Sequence, residues 1–454
     1  MKVSDIVLSD MQTKAAGKVK TWFREAVHGD FEKFYLAGYA GSGKTSILPY
    51  LIDHCGLNWQ DVTFCAPTGK AAKVLTGKLQ GMYNDKNVFA KTIHSQIYVP
   101  LKAKVEKLRD DILFLEKSIK DLKRTQDQTA SFDPAEFQNR VDSMEGELRQ
   151  LKVQFDDANR LAQKNGPSFV LNPESPVAKS KLIVVDEASM VGETLTDDLF
   201  TFGVPILAIG DPAQLPPVGD NPGLAIGNPD FFLSEIHRQA ADNPIIRLSM
   251  EIREGKKLTP GTKMGDKVRI VRGRDDEWTL NPDYDAQVLC GTHKTRWILT
   301  KRIRNMCGFD GNGPQAGEPL LVCKNSKKIP TLVNGSFVEC IEAPSELYEG
   351  DASFTMKIRD ETGVDYNMQV YQGTFEEHTL RQRDGATAPK FQAFDSKRMD
   401  EILDWGWVIT THKSQGSQWD NVVVHDESGR FREDADKWLY TAVTRAANEL
   451  TVVV

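Results

Sequence analysis

The chain has 454 residues, 40% of them hydrophobic and 27% charged, with a formal net charge of −7. That length predicts about three or four domains, and the composition is that of a globular protein, not a disordered or fibrous one. The acidic balance excludes a surface coated in basic residues. A local basic track, such as Lys294, Arg296, Lys301, Arg302 and Arg304 followed by Lys324, Lys327 and Lys328, would still suit a polyanion.

In chain order, the first strong signal is the segment Gly38-Tyr39-Ala40-Gly41-Ser42-Gly43-Lys44-Thr45, a complete G-x-x-x-x-G-K-[ST] phosphate loop. It follows the apolar run Phe34–Ala37 and precedes another from Ile47 to Ile52, the strand–loop–helix context that such a loop needs. Backbone amides around Gly38, Gly41, Ser42 and Gly43 would cradle phosphate, Lys44 would neutralise it, and the Thr45 hydroxyl would meet Mg²⁺. Further strands are expected at Val62–Ala66, Lys181–Val185 and Val204–Ile209, and a second set at Ala286–Leu289, Val408–Thr410, Asn421–Val424 and Leu450–Val454. Short apolar strands alternating with helical stretches predict two parallel α/β bodies.

Between them lie two insertions. Leu101, Val105, Leu108, Ile112, Leu115, Ile119 and Leu122, then Phe137, Val141, Met144, Leu148, Leu151 and Phe155, repeat the alternating spacing of a coiled-coil seam. Asp133-Pro134-Ala135-Glu136 supplies a helix start between the arms, which predicts an antiparallel hairpin projecting roughly 35–40 Å. From Thr331 to Phe375 short alternating runs and turn residues predict a small antiparallel sheet or barrel, and the polar stretch Thr374–Arg398 reads as a loop.

Chemistry concentrates at strand ends. Ile183-Val184-Val185 runs into Asp186-Glu187; in a phosphate-loop protein the first carboxylate holds Mg²⁺ and the second polarises the attacking water. Ile206–Ile209 runs into Gly210-Asp211-Pro212-Ala213-Gln214, which brings an amide, Gln214, to the same edge as a γ-phosphate contact. The six cysteines show no C-x-x-C spacing, so buried thiols are expected and not a zinc or iron–sulfur site. Residues 1–20 lack an apolar core of signal-peptide length, and no run approaches the roughly 20 apolar residues of a membrane span. A cytoplasmic protein without a membrane partner is expected.

Taken in order, these segments resemble superfamily 1 helicases, most closely the 5′→3′ RecD/Dda-like branch. Leu8-x-x-x-Gln12, Ala66-Pro67-Thr68-Gly69-Lys70-Ala71-Ala72, Thr92-Ile93-His94-Ser95, Glu235-Ile236-His237-Arg238-Gln239, Thr410–Ser417 and Leu439–Ala446 are similar to that branch's further motifs. The resemblance implies two RecA-like motor domains, residues 1–100 with 166–229 and 230–330 with 405–454, a coiled-coil hairpin at 101–165 and an SH3-like β insertion at 331–404. It implies that Gln12 reads adenine, that Gly416 lies at the nucleotide, and that Arg238 and Arg445 are arginine fingers completing a site built from Lys44, Thr45, Asp186, Glu187 and Gln214. It also implies a single-strand track of Pro67, Thr68, Thr92, His94, Thr292, His293, Thr411, His412 and Lys413, with hydroxyls and amides suited to phosphates whatever the base. In that branch a short β pin sits before the acidic pair; here Gln96–Pro100 and Ser168–Asn172 stand as its stumps, with the hairpin in place of its tip. The expected activity is ATP- and Mg²⁺-dependent 5′→3′ movement of a monomeric motor on single-stranded DNA, with unwinding at duplex junctions. The hairpin is read as a wedge or a dock for a protein partner. The compact chain suits a prokaryotic or phage replication or repair helicase. The rival readings are an RNA helicase, an ATP-regulated scaffold, or the motor subunit of a nuclease complex.

Overall fold

The computed structural model describes residues 8–29, 33–126, 134–163, 169–235, 242–273, 286–343, 353–375 and 401–454. Two compact units emerge, one formed by Met1–Ile93 with Ser180–Val454 and the other by His94–Lys179.

The larger unit holds three sheets. The first runs Ala90–Thr92, Val62–Ala66, Leu182–Val185, Ile206–Gly210, Lys33–Gly38, Phe231–Leu233 in spatial order, and every pairing is parallel. Its central strands read as unbroken apolar runs because helices cover both faces, the usual condition of a parallel sheet. Ala15, Val19 and Phe23 of the helix Asp10–Ala26 and Leu75 and Leu79 of the helix Gly69–Tyr83 pack into the resulting core. The second sheet orders Val408–Thr410, Gln287–Cys290, Trp419–His425, Ala446–Val453, Val268–Val271 and Lys263–Met264; only the last pairing is antiparallel. Trp438 and Tyr440 of the helix Ala435–Val443 are fully buried in its core.

The third sheet is antiparallel and has five strands: Asp365–Tyr371, Ser353–Asp360, Phe337–Glu342, Pro319–Val322 and Leu403–Trp405. It begins earlier than the turn-rich pattern implied, because Pro319–Val322 pairs with both Phe337–Glu342 and Leu403–Trp405. Two buried ion pairs, Arg296–Asp404 and Arg304–Glu318, tie it to the helix His293–Met306. These two arginines are therefore withdrawn from the basic track expected on the surface. The polar stretch at 376–400 and the helix start at Asp133 lie outside the described residues.

In the smaller unit Tyr98–Pro100 pairs antiparallel with Phe169–Leu171. The helices Leu101–Gln126 and Pro134–Gln163 lie side by side and run in opposite directions, as the ion pairs Lys123–Glu145 and Glu116–Lys152 require. Leu101, Leu108 and Ala158 form a core with Val105, Leu151 and Phe155, on the seam positions of the repeat. Among the described residues, no helix is long and apolar enough to cross a membrane.

Candidate functional site: a phosphate loop between two sheets

The strand Lys33–Gly38 delivers the chain into the loop, and Gly41 (φ 81°) and Gly43 (φ 76°) turn it through left-handed conformations that a side chain would resist. Gly38 is required for another reason: a Cβ there would lie 2.6 Å from the Ser42 hydroxyl and 2.9 Å from Leu233. Lys44 Nζ donates to the Gly38 carbonyl at 2.5 Å and the Tyr39 carbonyl at 2.9 Å. An ammonium has three donors. Two carbonyls fix its position over the loop.

Thr45 Oγ1 donates to Asp186 Oδ2 at 3.2 Å, so the loop and the acidic pair meet. Glu187 adopts a left-handed conformation (φ 55°), which for a non-glycine residue costs roughly 1–3 kcal/mol and is retained where position matters. Its N–H donates to Asp186 Oδ1. Removal from water, then the Asp186 charge, raise the Glu187 carboxyl above the ordinary carboxylate range, while Arg445 and Lys44 pull the other way. Gln214 is buried at the next strand's end, its Oε1 without a hydrogen-bond partner.

Gln12 is buried, and both ends of its amide are engaged. Its oxygen accepts the Ser9 N–H in a capping box at the start of the Asp10–Ala26 helix, and its nitrogen reaches the Ser42 carbonyl at 3.4 Å. The amide thus links that helix to the phosphate loop.

The second sheet reaches the same place. Arg445 is buried and held by three of its own domain's oxygens, those of Thr441, Ser417 and Thr444. Arg238 lies outside the described residues. Gly416 sits against the helix Gly69–Tyr83; a Cβ on it would come 2.8 Å from that of Ala71. The expected strand-contact residues fall into a repeated unit. Thr68 and Thr292 each lie two residues past a strand and cap the following helix, accepting the amides of Ala71 and Thr295. The third such cap is Thr410, which accepts the Lys413 amide, while its neighbour Thr411 is buried with its hydroxyl on the Cys290 carbonyl. Lys413 is exposed, and His412 stacks obliquely on Phe431. Thr92 ends its strand and Pro67 precedes the Thr68 cap. In the smaller unit His94 contacts the rings of Tyr98 and Phe169.

Several contributors were not anticipated. Glu427 is buried against the start of the His293–Met306 helix, accepting from the Gly291 and Thr292 amides and the Thr292 and Thr295 hydroxyls. Burial alone would raise its carboxyl, but these hydrogen bonds outweigh burial and hold it below the usual range. The Tyr440 hydroxyl accepts the Ala40 N–H at 3.1 Å and donates to Asp211 Oδ2 at 2.6 Å. The Arg253 guanidinium lies 3.1 Å from the centre of the Tyr39 ring. No local signal in the sequence marks Tyr440, because its partners Ala40 and Asp211 lie hundreds of residues away. Burial lifts the thiols of Cys65, Cys290 and Cys340 to about 12, the inert state expected of them.

The site thus gathers a phosphate loop and an acidic strand end from the first sheet with side chains from the helix that packs on the second. The AAA domain family matches residues 24–220, and the UvrD-like helicase C-terminal domain family matches residues 406–453. The ATP-dependent RecD2 DNA helicase of Deinococcus radiodurans is 26% identical over 293 residues, covering 62% of this chain and 37% of that protein. Uncharacterized protein R530 of Acanthamoeba polyphaga mimivirus is 26% identical over 218 residues, covering 46% of this chain and 33% of that protein. The chain thus spans about a third of the length of these curated relatives. Among solved structures, a Bacteroides Pif1 helicase in complex with ADP-AlF3 and ssDNA aligns with TM-score 0.47 and 17% identity over 99% of this chain and 93% of that one. In sequence the chain is thus similar to the AAA domain family, to the UvrD-like helicase C-terminal domain family and to part of a RecD2 DNA helicase.

Proposed function

We propose that the protein is an ATP-dependent DNA helicase that moves 5′→3′ on single-stranded DNA and unwinds duplex at junctions. The observation that carries this reading is geometric: Thr45 joins the phosphate loop to Asp186, and Tyr440, on the helix that leads into Arg445, bonds to the loop at Ala40. Phosphoryl transfer needs positioning and charge neutralisation, and here both depend on two bodies being together. Thr45 and Asp186 present hard oxygen ligands to one point, which fits Mg²⁺. Thr45 and Asp186 would hold the metal, which would supply charge neutralisation at the phosphates. Glu187 would take the proton of the attacking water, Gln214 would contact the γ-phosphate, and Arg445, with Arg238, would balance the charge that develops there. Gln12 would set the adenine edge and Gly416 the approach of the second body.

In this reading the two parallel sheets are RecA-like motor domains and the antiparallel sheet is the SH3-like insertion. The boundaries are 1–100 with 166–229, 101–165, 230–330 with 405–454, and 331–404. The threonine caps at Thr68, Thr292 and Thr410, with Pro67, Thr92, His293, Thr411, His412 and Lys413, would offer amides, hydroxyls and one ammonium to the phosphates of a strand. Closure on ATP and opening after hydrolysis would shift one grip relative to the other. The antiparallel helix pair is a coiled-coil hairpin that extends a duplex-splitting pin or docks a protein partner. Deleting Lys102–Lys164 separates these roles, since a wedge loses unwinding while retaining DNA-stimulated ATP hydrolysis. A soluble cytoplasmic motor acting as a monomer fits this scheme. The deciding assay compares ATP hydrolysis and unwinding on 5′-tailed and 3′-tailed duplexes, with Lys44→Ala as control. Unwinding of 5′-tailed DNA alone is expected; unwinding of 3′-tailed DNA alone overturns the reading.

A further inference from the structure

The helix Ala435–Val443 belongs to the second sheet, yet its side chains are bonded into the first. Tyr440 is fully buried, and its hydroxyl takes the Ala40 N–H of the phosphate loop while donating to Asp211. Asp211 is itself buried, and its other oxygen accepts the Ala213 N–H, which fixes the turn leading to Gln214. One residue on, Thr441 accepts the Leu215 N–H, and Gln415 donates to the Leu215 carbonyl. Arg445 follows directly, its Nε on the Thr441 carbonyl. Arg253, also of the second body, covers Tyr39 next to Ala40 in the loop. Burial, then the Asp211 charge, push the Tyr440 phenol well above its ordinary value, so it keeps the proton that it donates.

We propose that Tyr440 is a positioning residue of the ATPase. Its hydroxyl joins the phosphate loop and the Asp211 turn to the helix that leads into Arg445, and so sets the arginine's place over the γ-phosphate. The proposal rests on the nucleotide-site part of the reading above. The hydroxyl acts through Ala40 and Asp211 and touches no reacting atom. Ala40 is not one of the glycine or lysine positions that wrap phosphate, so its N–H is free to serve this joint.

Tyr440→Phe removes the hydroxyl and keeps the ring in its buried place, and Asp211→Asn keeps an acceptor while removing the charge. A displaced arginine predicts that kcat for single-strand-stimulated ATP hydrolysis falls by about 10²-fold, since an error of an ångström can lose that much. KM for ATP stays within about threefold, because the loop's own phosphate ligands are untouched. The double variant falls no further than the worse single one, as expected of groups acting as a unit. A second measurement is independent of turnover and of DNA. ADP with aluminium fluoride, a mimic of the transferring phosphate, raises Tm above the value with ADP alone in the natural protein, and that extra rise disappears in Tyr440→Phe. Retention of both kcat and the extra rise by Tyr440→Phe overturns the proposal, as does a matching rise in KM. If the natural protein shows the extra rise but no strand-stimulated hydrolysis, the helicase reading fails, and the Tm readout alone decides for Tyr440.

Discussion

The nucleotide side and the proposed strand side are built from the same local unit, a parallel strand ending in a turn and a helix start, but they are wired differently. Around the phosphate loop the decisive contacts cross between bodies: Tyr440 to Ala40 and Asp211, Thr441 and Gln415 to Leu215, Arg253 to Tyr39. Along the strand side the threonine hydroxyls are satisfied within three residues by the helices they cap. A site wired across bodies responds to their separation, whereas a row of self-sufficient caps keeps its shape through it. In the motor proposed above, such a contrast would let one side switch while the other kept its hold on the strand.

The largest expected effect tests the cross-wired side. Arg445→Ala should reduce ATP turnover on the order of 10³-fold or more, the scale of an arginine finger. Binding of single-stranded DNA without nucleotide should change little. A loss of both together, read by fluorescence anisotropy on a labelled oligonucleotide, would mean that the two sides are not separately wired. Glu187→Gln comes next, with turnover falling by about 10²- to 10⁴-fold if Glu187 is the base. The same variant should be more heat-stable at pH 8 than the natural protein. A carboxyl whose folded-state pKa is raised binds its proton more tightly when folded. Its favourable contribution is complete below the unfolded value near ~4.3 and is lost as pH rises through the raised one. The Tm advantage of the glutamine should thus vanish in acid. A constant advantage at all pH values would point to packing instead of charge.

Those two sides were also unequally legible in the sequence. The phosphate loop, the Asp186–Glu187 pair and the strand–threonine–helix turns announce themselves because their chemistry is local: glycines at left-handed positions, β-branched runs, a capping hydroxyl three residues before the amide it accepts. The hydrophobic repeat likewise predicts which faces of Leu101–Gln126 and Pro134–Gln163 meet. The Tyr440–Asp211 bond joins residues 229 apart, and neither carries a local mark of it. The same holds for Pro319–Val322, whose membership of the antiparallel sheet is fixed by Leu403–Trp405, far along the chain. Arg296 and Arg304 show the converse error: counted in one basic run, they are internal because Asp404 and Glu318 await them. Charge counting along the chain cannot see a partner brought in by the fold.

A smaller effect probes a place where the strand side departs from self-sufficiency. Glu427 reaches from a neighbouring loop and takes four hydrogen bonds at the Thr292 cap. Glu427→Gln should lower stability by about 2 kcal/mol at pH 7, the scale of hydrogen bonds to a charged group. Because the carboxyl is held below its usual range, its stabilisation is present above the unfolded value near ~4.3 and disappears as pH falls through the folded one. Chemical denaturation of both proteins at pH 7 and pH 3.5 should show the gap closing. A gap that persists at pH 3.5 would assign the loss to shape and not to the carboxylate.

The smallest expected effect bears on whether the caps meet a strand at all. Lys413 is exposed at the end of the short helix that Thr410 caps, and its ammonium makes a weak contact with Cys323 Sγ at 3.6 Å. A single phosphate contact made there releases one share of counterion, so Lys413→Ala should lower the slope of log affinity against log salt by about 0.7 for a single strand. Affinity should fall several-fold at low salt and converge with that of the natural protein at high salt. Arg445→Ala should leave the same slope unchanged, because its guanidinium is buried on its own backbone. If the two variants shift the slope alike, the strand and the nucleotide draw on one electrostatic field, and the contrast between a switching side and a gripping side collapses.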